Sequence, residues 1–179
     1  MGGDYLARQV GFEESENYVY YELGGSAMAL TSGFKTPRDM LAKLHREHDR
    51  LAAEVTPDNL FNLVVTAYHI VEWIKNDPAV PQPAKDDLAS MRANTYLAVC
   101  RDVANASKHF TLDKNYKNQV TAKTSAISGY GVGGYGKGSY GVGEYSIVVV
   151  LTDGQRFDSH ELADGVVQAW DAFFRKHGL

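Results

Sequence analysis

The chain has 179 residues and a mass of 19.7 kDa, which suits one domain, because a chain this size buries about 70 % of its unfolded surface around a single core. At 44 % hydrophobic and 22 % charged residues it lies outside the disorder-prone corner of composition. A net charge of -4 excludes a protein-wide field that draws in nucleic acid, so any such contact needs a local patch. One cysteine, Cys100, excludes an internal disulfide and a thiolate zinc cluster and fits a reducing compartment. No stretch reaches 18 uninterrupted apolar residues, and the start lacks the basic-then-apolar order of a signal peptide. The expectation is a cytoplasmic protein with no membrane contact.

Residues 1–35 carry scattered glycines without helical period and read as an irregular arm, with only 17–23 (NYVYYEL) strand-like. Thr36-Pro37 supplies an N-cap and a proline at the first helical position. The helix that follows runs to about Val55, with Leu41, Leu44, Leu51, Ala52 and Val55 as its apolar line and Glu47 among the charges on the wet face. Thr56-Pro57-Asp58 opens a second helix over 59–76, apolar round most of its circumference and therefore central. Prolines at 78, 81 and 83 break the chain before a short helix over 84–92 and a longer one over 96–110, with a kink near Asn94.

Beyond Asp113 the period changes to that of strands over 119–127 and 145–151, and Asp153-Gly154 marks a tight hairpin turn into Arg156-Phe157. Asp158 caps a last helix with Glu161 as reciprocal partner, and Leu162, Val166, Ala169, Trp170 and Phe173 form its stripe. The chain therefore reads as α+β: a helical bundle of three or four helices, a three-stranded antiparallel meander and a C-terminal helix, in one domain over 36–179.

Between the first two strands, residues 129–143 repeat a pentapeptide on Tyr130, Tyr135 and Tyr140. The repeat produces a GxGxxG match at Gly131, Gly133 and Gly136 and a GxxxxGK match ending at Lys137. Both lack the strand-to-helix turn that phosphate binding requires, and Gly138 stands where a P-loop needs Ser or Thr. The segment reads as a glycine-rich hairpin loop; its functional version is a sticky aromatic loop that captures a protein partner or stacks on bases.

The polar residues of the 96–110 helix concentrate on one arc. Arg101, Asp102, Asn105, Lys108 and His109 fall within about a third of the circumference. The central helix has its own polar line, Asn62, Thr66, His69 and Asn76, with Glu72 beside it. If the two lines face each other, His69 and His109 share a partly desolvated cluster with Arg101, suited to proton transfer beside a bound phosphate. The competing accounts are a solvated face for the arc and, for His69, a core histidine satisfied by Glu72 or a backbone carbonyl.

A helical bundle bearing Arg, a polar residue and then His on one helix resembles the HEPN superfamily, over residues 37–110. Its members are commonly dimeric, metal-independent ribonucleases or RNA-binding relatives in toxin–antitoxin and antiphage systems. Arg101-Asp102 and His109 match that pattern by type, with seven residues between Arg101 and His109 where the family usually has four to six. The stretch is also similar to small uncharacterised bacterial or prophage proteins with an Arg-Asp-x-Ala-Asn-x-x-Lys-His-Phe segment, a likeness that implies no role. The resemblance implies an RNA- or nucleotide-directed module, a metal-independent ribonuclease in its catalytic form, and a homodimer. Arg101 would bind phosphate, His109 would transfer a proton, and Asp102 and Asn105 would orient them; Lys108, His69 and Glu72 would line the binding surface. The alternative is a non-catalytic interaction or structural protein, phage-derived, acting through the tyrosine-glycine loop and the N-terminal arm.

His45-x-x-His48 and His69-x-x-Glu72 have helical spacings that present two ligands each, but suitably paired carboxylates are missing, so neither a metal nor another cofactor is expected. Cys100 lies on the apolar arc and reads as core filler.

Overall fold

The computed structural model describes residues 33–109, 120–129 and 144–179. The arm up to residue 32 and the tyrosine-glycine loop over 130–143, with Tyr130, Tyr135 and Tyr140, lie outside the described residues. The elements are α1 (Pro37–Ala53), α2 (Pro57–Asn76), α3 (Gln82–Ala93), α4 (Thr95–His109), β1 (Thr121–Gly129), β2 (Glu144–Leu151), β3 (Arg156–Asp158) and α5 (Ser159–His177). This is the expected α+β order of a bundle, a meander and a closing helix.

Side-chain oxygens set the helix starts. Thr36 Oγ1 accepts from the Asp39 N–H at 3.2 Å, while Asp39 Oδ2 accepts from the Thr36 N–H at 2.8 Å, a reciprocal box that satisfies two orphan donors. Thr56 Oγ1 caps α2 through the Asn59 N–H at 3.1 Å. Asp158 Oδ1 caps α5 through the Glu161 N–H at 2.8 Å, but the return bond expected from Glu161 is not formed. Only the acceptor half of that box is present.

Helix α2 is central, packed by α1, α3, α4 and α5. Leu63, Val64, Ala67, Ile70 and Ile74 are all fully buried. From α5, Trp170 enters the same core fully buried, its indole N–H donating to the Ala67 carbonyl at 3.0 Å and its ring meeting Phe173 edge-on at 5.6 Å. Phe61 departs from expectation: it is 41 % exposed, in a sector of α2 that the described elements leave open.

The sheet order is β1-β2-β3, antiparallel throughout, with Val149 opposite both Thr124 and Phe157. Ile147, Val149 and Leu151 alternate into the core beneath α5. The Asp153-Gly154 turn closes through the Gly154 N–H to the Leu151 carbonyl at 3.1 Å, and Gly154 adopts φ 91°, which a side chain disfavours.

Two contacts fix the ends of α5. At its start the ring of Tyr96 lies flat against Gly165, so a Cβ there would sit 2.6 Å from ring carbons, and Phe157 backs that ring at 5.2 Å. At its end Asp87 of α3 accepts from Lys176 at 2.7 Å and His177 at 2.8 Å. Hydrogen bonds from Lys176, His177 and Ser90 hold the Asp87 carboxyl well below the usual carboxylate range.

Gly165→Ala should therefore destabilise the fold by about 1–3 kcal/mol, despite the gain of about 1 kcal/mol that alanine normally brings to a helix interior. Combining it with Tyr96→Ala should recover most of the packing penalty in a double-mutant cycle by denaturant unfolding. The Asp87 contacts stabilise the native state above the unfolded carboxylate range, and this contribution fades as pH falls through the depressed folded value. Thermal unfolding of Asp87→Asn should accordingly lose part of the acid limb seen in wild type.

Candidate functional site

Asn94 separates α3 from α4 in a single residue. Its N–H donates to the Met91 carbonyl at 3.0 Å, ending α3. Its Oδ1 accepts from the Leu97 N–H at 3.2 Å and its carbonyl from the Ala98 N–H at 2.9 Å, starting α4. The kink expected near Asn94 is thus a joint between two helices. From it α4 buries Leu97, Val99 and Cys100.

Arg101 and Asp102 follow one turn later. Arg101 donates from Nε and Nη2 to Asp102 Oδ1, at 3.0 and 2.7 Å. The other oxygen, Oδ2, accepts from the backbone N–H groups of Val120 and Thr121 at 2.6 and 3.0 Å. Asp102 is only 1 % exposed. A buried carboxylate is tolerable when its lone pairs are met by a cation and by N–H donors, and both are supplied here. Asp102 does not stand on a solvated face: it ties the entry of β1 to α4 and holds the Arg101 guanidinium in one plane. Asn105 is half-buried one turn further on. Lys108 and His109 close α4, and their side chains lie outside the described residues.

The guanidinium side chain is about a quarter exposed. It lines a pocket of about 50 Å³ together with Leu97 and Ala98 of α4, half-buried Tyr68 of α2 and exposed Arg92 of α3. The sequence reading missed Tyr68 and Arg92; their signal was only that Arg92 stands in the last turn of the helix just before the polar arc. A second groove, of about 380 Å³, opens at the start of α5 between Tyr96, Asp158, Glu161 and Asp164. Three carboxylates make it unsuited to a phosphate.

Of the polar line of α2, Thr66 turns to α1. Thr66 is buried and its Oγ1 accepts from Lys43 Nζ of α1 at 2.6 Å. His69 is exposed, and the charges acting on it are Lys43 and Glu72. Neighbouring atoms still desolvate part of the ring; that first, then the Lys43 charge, holds its imidazole below the ordinary range, with Glu72 pulling the other way. His69 is therefore not a core histidine, and Arg101 is not among the charges acting on it; its expected partner His109 has its side chain outside the described residues. Glu72 is exposed and lies 3.5 Å from Lys75. Helical period identifies the face a residue occupies, and here that face meets α1.

His45 and His48 are engaged with α5, His45 Nε2 lying 2.9 Å from Asp171 and His48 Nε2 2.7 Å from Asp164. Among the described residues no group of three or more His, Cys, Asp or Glu side chains converges on a metal position. Cys100 is buried, and burial pushes its thiol far up, away from the thiolate that a nucleophile needs. No helix in the described residues is long and apolar enough to cross a membrane.

Removing the Asp102 carboxylate deprives Arg101 of two hydrogen bonds and leaves two N–H donors without their acceptor, so Asp102→Ala should cost about 3–5 kcal/mol and strip the Val120 and Thr121 amides of hydrogen-exchange protection. Asp102→Asn, which keeps one acceptor oxygen, should cost less. An alanine variant within experimental error of wild type would show that this carboxylate does not pin the sheet.

Compared with protein-family models, curated proteins and solved structures, the chain finds no match.

Proposed function

We propose that the chain is an RNA- or nucleotide-directed module of HEPN-like type whose phosphate contact is Arg101. The observation that carries the reading is the pocket between Arg101, Arg92 and Tyr68. At about 50 Å³ it is too small for a base and suits phosphate oxygens. Two bonds to a buried carboxylate orient the Arg101 guanidinium before any ligand arrives, so little side-chain freedom is lost on binding. Arg92 supplies a second cation from a different helix, and Tyr68 offers a ring on which a neighbouring base can stack. In the catalytic form of this reading His109 transfers the proton and the protein is a metal-independent ribonuclease of a defence or toxin system, with Asp102 and Asn105 as positioning residues.

A non-catalytic binding role is the second reading, and one observation favours it. Both oxygens of Asp102 are already committed, to Arg101 and to the backbone of β1, which leaves that carboxylate poorly placed to tune a histidine two turns away.

The test combines binding and cleavage of single-stranded RNA in EDTA. Arg92→Ser, on an exposed side chain, should weaken binding and lower the salt slope by about 1. Arg101→Lys keeps the charge but gives up the forked geometry and should weaken binding further. If the protein is a nuclease, His109→Ala should reduce cleavage by about 10²–10⁴-fold with binding retained. Binding without cleavage in wild type selects the non-catalytic reading, and RNA binding indifferent to Arg92 and Arg101 overturns both assignments of the pocket.

A further inference from the structure

Thr66 of α2, bonded to Lys43, forms a polar seam with α1, and neither residue lines the Arg101 pocket. Glu47 lies at its centre, 2 % exposed. Glu47 Oε1 accepts from Lys43 Nζ at 2.8 Å and from Arg50 Nη1 at 2.8 Å, while Oε2 is buried with no partner. Burial alone would push this carboxyl up; the hydrogen bonds from Lys43 and Arg50 outweigh it and hold the group below its usual range. Lys43 Nζ has a second partner in Thr66 Oγ1 at 2.6 Å. Two of its three N–H donors are thereby fixed, and the side chain is 28 % exposed, which leaves the third donor for an outside acceptor. His69, one turn beyond Thr66 on the same face of α2, makes no hydrogen bond among the described residues.

We propose that this seam is a phosphate-binding site, in which the Lys43 ammonium and the imidazolium of His69 hold one phosphate group between them while Glu47 and Thr66 fix the ammonium. An immobilised cation beside an unpartnered imidazole is a half-built anion site. Partial burial first, then the opposition of the Lys43 charge, disfavour protonation of His69. A phosphate between the two cancels that opposition, so binding takes up a proton, and by reciprocity it tightens as pH falls through the His69 midpoint. The other charges of the seam come from Arg50 and Glu47 on α1 and from Glu72 on α2. Among the described residues, α3, α4 and α5 present no charge that acts on His69.

The experiment follows the His69 ring by NMR across the imidazole range, alone, with inorganic phosphate, and with a single-stranded RNA lacking terminal phosphates. In wild type the His69 midpoint should rise with at least one probe, and affinity for that probe should tighten about tenfold as the ring protonates. A response to phosphate alone identifies a free or terminal phosphate as the ligand; a response to the RNA identifies a backbone diester. Lys43→Met should raise the unliganded midpoint and abolish the response, while Arg92→Ser, even where it weakens overall RNA affinity, should leave the His69 shift at saturating probe intact. His69→Gln replaces an exposed side chain without hydrogen bonds, so it keeps the fold whatever Lys43→Met does, and calorimetry should show its phosphate binding lost. The proposal is overturned if the midpoint ignores both probes, if His69→Gln binds as wild type does, or if Arg92→Ser removes the response. The last result would place binding in the Arg101 pocket and leave that reading standing.

Discussion

The sheet and the bundle depend on one another through a carboxylate that neither could bury alone. Asp102 sits in the middle of α4, where an unpaired charge at 1 % exposure is untenable. It is made tenable by Arg101 on one oxygen and by the first N–H groups of the strand region on the other. The same bonds give β1 its starting point, since Val120 precedes the ladder with β2, Thr121 opens it opposite Leu151, and both amides take their acceptor from Asp102. Two tasks thus converge on the same side chain: the group that anchors the strand also sets the direction in which Arg101 faces.

The histidines show how local chemistry sorts side chains of one type into different uses. His45, His48 and His177 each meet an aspartate across a helix boundary, joining α5 to α1 and α3. Such partly exposed pairs define orientation more than they add stability. His69 has no such partner and lies within reach of a lysine's field instead. The two proposed phosphate positions, one at α2, α3 and α4 around Arg101 and one along α1 and α2 around Lys43, differ in kind. Arg101 is always charged, whereas the second position acquires its full charge only with a proton.

Much of this architecture was legible in the sequence because it depends on neighbours a few residues apart. The caps at Thr36 and Asp158, the Asp-Gly turn and an α2 that is apolar round most of its circumference follow from local spacing, and the structure has them. The choice of Arg101 and Asp102 also came from spacing, but the work Asp102 does for β1 spans 18 residues and has no local mark. Helical period places Thr66 and His69 on one face without saying which helix covers it. Glu47 is the instructive miss. It stands three residues after Leu44 and four before Leu51, on the apolar line itself, and a glutamate there signals either a defect or a buried ion pair. Its i–4 lysine and i+3 arginine were the evidence for the second.

Trp170 has a consequence for the order of events during synthesis. Its bond to the Ala67 carbonyl spans 103 positions, so the centre of α2 is finished by a side chain from the last of the described helices. Until α5 is made and docks, Leu63, Ile70 and Ile74 lack part of their cover, and a chain folded only through β3 exposes an apolar groove open to misassembly. Closure of the core therefore waits on α5, and its vulnerable interval is set by how quickly α5 finds α2.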